Sequence, residues 1–114
     1  MLETRLLSIK GELFQFTALP EDISYNDQFD DPRDIEWIED QLSIGNDAAW
    51  FCAKISLLKA DGTSEYKEVD STYLGGCSYN SFDEFINTKD GYLQDMVNEL
   101  LEALKNQTMK AGAV

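Results

Sequence analysis

Histidine is absent from all 114 residues, and cysteine, proline and basic side chains are scarce: two Cys, two Pro and nine Lys plus Arg. Without an imidazole the usual general base is missing, and so are most zinc sites. Serine hydrolase, Cys–His protease and ordinary zinc chemistry are thereby excluded. Two cysteines, Cys52 and Cys77, make no disulfide framework in a chain of this size, and both read as buried, reduced thiols. Cys52 lies in an apolar run with Lys54 as its nearest same-face cation, a poor setting for a thiolate nucleophile. No apolar run approaches membrane-spanning length, and Met1–Lys10 lacks the apolar stretch and small-residue cleavage site of a signal peptide. The expected location is the cytoplasm, with no membrane partner.

The few cations face 22 Asp plus Glu, leaving a net charge of −13 and an isoelectric point near 4.1. Nucleic acid and anionic membrane are themselves polyanions that gain affinity from Lys and Arg, so direct binding to either is not expected. Disorder is not expected either, because 43% of residues are apolar and thirteen are aromatic, enough to offset the entropy of ordering. The length fits one domain, 1–114.

The charge is not spread evenly. Between Glu21 and Asp47 stand ten carboxylates (Glu21, Asp22, Asp27, Asp30, Asp31, Asp34, Glu36, Glu39, Asp40 and Asp47) against Arg33 alone, a net −9 of the chain's −13. Charge confined to one segment makes a local field and suggests a basic partner.

Residues 4–19 alternate as β structure around Gly11, which is either a tight hairpin or a bulge in one long strand. Pro20 ends the run, and Glu21–Asp31 is a polar loop holding Tyr25 and Phe29. Asp31-Pro32 predicts a helix start and Gly45 a stop, giving a helix over 32–44. Its apolar stripe is Ile35, Ile38 and Leu42, widened by Trp37 and Ile44, while Glu36, Glu39 and Asp40 point to solvent. A strand over 48–60 has Phe51, Ala53, Ile55 and Leu57 on one face. Asp61-Gly62 predicts a two-residue hairpin into a strand over 63–77. If Ala60 pairs with Thr63, Leu57 faces Tyr66 and Ile55 faces Glu68, and a bulge near Glu68 is needed to keep that carboxylate off the core. Gly75-Gly76 bends or ends the strand. Ser81-Phe-Asp-Glu84 is a capping box for a short helix to about Ile86. Asp90 is the expected cap of the last helix, 92–106, where Leu93, Met96, Val97, Leu100, Leu101 and Leu104 recur at spacings of three and four. The pattern is lost beyond that point, so 106–114 reads as a frayed tail.

Catalytic patterns do not emerge. The pairs Asp30/Asp31 and Glu39/Asp40 suit glycoside hydrolysis or Mg²⁺ in principle, but adjacent acids point different ways on a helix and read better as a solvated face. A calcium loop starting at Asp30 fails at Ile35, where Gly is required, and at Gln41, where Glu is required. Glu65-Tyr66-Lys67 imitates a nuclease strand, but the nearest upstream acid, Asp61, falls in the predicted turn. Gly75-Gly76 lacks the flanking residues of a phosphate cradle. No catalytic residue, metal or cofactor is expected, and the protein reads as a non-enzyme.

What remains is the acidic face. Carboxylates three or four positions apart on a helix lie about 5–6 Å from one another, comparable to the phosphate spacing along one strand of a duplex. The candidate partner-binding residues are Asp27, Asp30, Asp31, Asp34, Glu36, Glu39 and Asp40, with Tyr25, Phe29 and Trp37 as aromatic anchors. The expected partner is a basic protein surface of the kind that binds nucleic acid.

Two motifs carry a family resemblance: Trp50-Phe-Cys52 followed by Tyr73-Leu-Gly-Gly-Cys-Ser-Tyr79, and Gly91-Tyr92-x-x-Asp95-Met96-x-x-Glu99. Over roughly residues 50–104 the chain resembles small acidic proteins encoded by bacteriophages, prophages and plasmids, a group with no established activity. The resemblance implies a mobile-element gene. Such elements often encode anti-CRISPR and anti-restriction proteins that occupy the basic grooves of defence enzymes, so the expectation is an inhibitor of that kind, a mimic of nucleic acid. The alternative is an acidic structural or housekeeping domain whose charge serves solubility alone.

The expected architecture is α+β: a small antiparallel sheet with two main helices packed on it. Its expected core is Leu7, Phe14, Phe16, Ile35, Ile38, Leu42, Phe51, Ile55, Leu57, Met96, Val97, Leu100 and Leu104.

Overall fold

The computed structural model describes residues 1–60, 62–63 and 65–112, without the side chains of 107–112. Four antiparallel strands form a meander in the order β1-β2-β3-β4, with β1 at Glu3–Ile9, β2 at Glu12–Leu19, β3 at Phe51–Ala60 and β4 at Tyr66–Cys77. Helix α1, Pro32–Ser43, lies in the β2–β3 connection; α2, Phe82–Asn87, and α3, Tyr92–Gly112, follow β4. The class is α+β, as expected.

The alternative at Gly11 is resolved as a hairpin. Lys10 and Gly11 both have positive φ, 52° and 79°, and Ile9 pairs with Glu12 around them. Two successive left-handed residues match the right-handed twist of the flanking strands.

The second hairpin departs from expectation. Ala60 pairs with Tyr66, not Thr63, so five residues (61–65) make the connection in place of two; Asp61 itself lies outside the described residues. Leu57 therefore faces Asp70 and Ile55 faces Thr72, with a bulge at Val69 between the Leu57–Asp70 and Leu58–Glu68 pairs. The longer loop and the bulge put Glu68 beside Ser56 and Lys54, away from the core. Ser56 donates to its carboxylate at 2.6 Å and the Lys54 ammonium lies 2.9 Å away. A second irregularity sets Gly75 and Gly76 opposite Cys52 alone.

The main core lies on one sheet face, where Phe14, Phe16, Ala18, Phe51, Ala53, Ile55 and Leu57 meet Phe85 of α2 and Leu93, Met96, Val97 and Leu100 of α3. Aromatic edges knit it together: Phe51 meets Phe16 at 6.2 Å and Phe85 at 5.6 Å, both near-perpendicular. The opposite face is polar around Gln15, Thr17 and Lys54, and Leu6 and Tyr73 on it are more than half exposed.

Several expected core residues are only half-buried. Leu7 sits on the edge strand β1, and Leu104 lies near the end of the core stripe on α3. Helix α1 packs mainly on a small separate cluster of Ile38, Ala49 and Trp50, so Leu42 is half-covered there and Ile35 belongs to neither core. Ile44 is 75% exposed because the helix ends at Ser43 and Ile44 is its C-cap. Residues 48 and 49, expected to open the strand, instead belong to a 3-10 turn over 47–49 capped by Asn46, which buries Ala48 and Ala49.

Helix caps divide likewise. Asp31 caps α1 and Ser81 caps α2, accepting from the amides of Arg33 at 2.9 Å and Glu84 at 3.1 Å. Asp90 does not cap α3. Its backbone is left-handed, φ 57°, and the carbonyl of Gly91 accepts the first helical bond, from Asp95. The helix extends past the expected end at 106 and runs to Gly112, as Asn106–Ala111 contains no helix breaker; residues 113–114 of the expected tail lie outside the described residues.

Candidate functional site

Segment 20–47 leaves β2, crosses the end of the sheet and returns as α1. Two hydrogen bonds moor it. The Trp50 indole N–H donates to the carbonyl of Ile23 at 2.8 Å, and Glu21 Oε2 accepts from the Gly76 amide at 2.6 Å. Gly76 needs its glycine because its φ is 67°, and at Gly75 a Cβ would sit 2.8 Å from Glu21 Oε2 and displace that carboxylate. The glycine pair that sequence marks only as strand punctuation thus receives a carboxylate supplied by the chain itself. Glu21 is therefore structural, and not part of the solvated field.

Beyond this mooring the acids separate by role. Asp31 is half-buried, accepts from its helix's second amide and grips the Arg33 guanidinium at 2.9 Å, which holds its pKa below the ordinary carboxylate value. Asp27, Asp30, Asp34, Glu36, Glu39 and Asp40 are exposed. Among the described residues, Asp31 is the one carboxylate of segment 21–47 with an ion-pair partner. At 3.6 residues per turn Glu36 and Asp40 stack one turn apart on the outward face. Glu39 lies on one flank and accepts weakly from the Tyr25 hydroxyl at 3.4 Å; Asp34 lies on the other and borders a cleft. The carboxylates thus wrap α1 and do not line a single track.

The expected aromatic anchors also differ among themselves. Tyr25 and Phe29 are half-buried, with ring centroids 6.2 Å and 5.9 Å from Trp50, so they already serve the small cluster under α1. Trp37 is half-buried and borders the cleft.

That cleft, about 410 Å³, runs between α1 and the end of β4, with Asp34, Trp37 and Ile38 on one side, residues 74–78 on the other, and Phe29, Tyr79 and Tyr92 around it. Sequence reasoning missed Tyr92 and Tyr79 as site residues. It also missed a second run of exposed acids, Asp95, Glu99 and Glu102 on α3. Their spacing of four and three was the available signal.

Nucleophile chemistry finds no support. Both thiols are free; burial pushes Cys77 up to about 12, and burial with nearby Glu21 and Asp22 raises Cys52. A protonated thiol is a poor nucleophile. Among the described residues no three His, Cys, Asp or Glu side chains converge to hold a metal, and no helix is long and apolar enough to cross a membrane.

Comparison of the chain with protein-family models, with curated proteins and with solved structures gave no match. The site must be interpreted from its own chemistry.

Proposed function

We propose that this is a non-enzymatic, mobile-element-encoded inhibitor that docks the carboxylates around α1 on a basic, nucleic-acid-binding surface of a host defence protein. The observation that carries the reading is charge segregation. Arg5 pairs with Glu3 and Asp83, Lys54 with Glu68 and Lys59 with Glu12, all on or beside the sheet, while α1 and its preceding loop hold Arg33 alone. A surface needed only for solubility gains nothing from concentrating its uncompensated charge, since mixed signs serve equally well. A segment that must meet a basic groove gains in encounter rate and orientation.

Affinity capture from the bacterial host, followed by mass spectrometry, tests this. The wild-type chain should retain a nucleic-acid-binding protein at low salt and release it when that protein's own nucleic acid is added. Retention of no partner, or of one indifferent to nucleic acid, would instead favour an acidic domain whose charge serves solubility.

A further inference from the structure

We propose that the cleft between α1 and the end of β4 receives an arginine side chain of the basic partner. The inference rests on the docking reading above and adds its recognition pocket. Trp37 and Tyr92 supply aromatic faces at this cleft and Asp34 a carboxylate, the combination that suits a planar guanidinium, which can stack on a ring while donating to an acid. Trp37 packs in part against the small cluster under α1, but among the described residues neither it nor Tyr92 makes a ring–ring contact, in contrast to Trp50, and Tyr92 is 58% exposed.

Size and charge agree. At about 410 Å³ the cleft is in the range of small-ligand pockets, ample for one long side chain with its flanking backbone. Gly75 and Gly76 add no side chain to the β4 wall, which leaves room between Leu74 and Cys77, and β4 is an edge strand whose Gly76 amide is held by Glu21. Exposed acids stand on the same two helices away from the cleft, Glu36 and Asp40 on the outward face of α1 and Asp95 and Glu99 on α3, so the surrounding field favours a cation and opposes phosphate. Lysine fits less well, because its ammonium is a more strongly hydrated point charge with no planar face.

The probe is the blocked peptide acetyl-Gly-Arg-Gly-amide, titrated at low salt into the isotopically labelled full chain and followed by amide and indole NMR shifts. Saturable shifts should appear at the Trp37 indole and at the amides of Gly75–Tyr79. Asp34→Asn and Tyr92→Ala, both exposed and outside the cores, should each weaken binding roughly three- to tenfold, whereas Glu36→Gln should leave it nearly unchanged. The citrulline peptide, equal in shape but uncharged, should not bind. Absence of saturable binding, equal binding by the citrulline peptide, or shifts spread evenly over all exposed carboxylates would overturn the proposal. The two readings fail separately. If partner capture is lost on reversing the outward acids Glu36 and Asp40 but survives Asp34→Asn/Tyr92→Ala, the pocket is wrong and the docking face stands. If the peptide binds as described while reversal of the outward acids leaves partner capture intact, the docking face is wrong.

Discussion

The sheet with α2 and α3 and the segment carrying α1 treat charge and apolar surface in opposite ways. In the sheet, cations tie neighbouring elements: Arg5 of β1 reaches Asp83 of α2, Lys54 and Lys59 of β3 reach Glu68 and Glu12, and Lys10 donates to Asn98 of α3 at 3.0 Å. A continuous aromatic and aliphatic core lies beneath them. In segment 21–47, Asp31 alone has an ion-pair partner among the described residues, and the underlying cluster has three buried residues, Ile38, Ala49 and Trp50. The lesson is a division of labour. One region holds the fold, and the other displays a field that folding alone does not require.

The largest effect that sharpens this contrast is on the cores. Phe51→Ala, which removes a fully buried ring with four aromatic neighbours, should cost about 3–5 kcal/mol. Ile38→Ala in the small cluster should cost about 2 kcal/mol, the lower end for such a truncation. Urea unfolding followed by circular dichroism ranks them, and an Ile38 cost equal to that of Phe51 would merge the two regions into one cooperative core.

Next in size is the junction. Gly76→Ala forces a Cβ into a left-handed conformation, a penalty of about 1–2 kcal/mol. Gly75→Ala should push out the Glu21 carboxylate, so that hydrogen exchange at the Ile23 and Gly76 amides quickens while the β2 and β3 amides stay protected. If Glu21→Ala abolishes the cost of Gly75→Ala, the two residues act as one contact; additive costs would deny it.

This junction also marks where sequence reasoning reached its limit. Local signals were legible: the Asp31-Pro32 start, the Ser81 cap, and the apolar alternation of Phe51–Leu57 all reappear. The bulge was legible too, expected near Glu68 and found at Val69, but register was not, because the five-residue connection leaves no imprint on period two. The roles of the acids were not legible either. Glu21, Asp31 and Asp40 are alike as carboxylates, yet one fills a backbone notch, one caps a helix and one faces solvent. Tyr92 and Trp37 lie 55 positions apart, and only the tertiary fold brings both to one cleft.

A smaller effect is expected on the pH dependence of the sheet. The Ser56 hydroxyl, followed by Lys54, holds the Glu68 carboxyl below its ordinary pKa. A carboxyl depressed by folding stabilises the native state above its unfolded pKa and loses that contribution as the pH falls through the native one. Glu68→Gln should therefore lower the melting temperature at pH 7 and do so less at pH 3. An equal deficit at both values would show that the charge of Glu68 plays no part.

The smallest effect on folding belongs to the outward carboxylates, and there the central claim is most exposed. Asp30, Asp34 and Asp40 can be changed to Lys, with Asp31→Asn retaining a cap. Lone exposed charges contribute little to folding, so the melting temperature should barely move. Titration calorimetry of this variant against the captured partner, at low and high salt, decides the matter. The account predicts that the wild type binds at least about tenfold more tightly at low salt, with the gap narrowing as salt screens the field. Equal affinity for both chains at every salt concentration would contradict it.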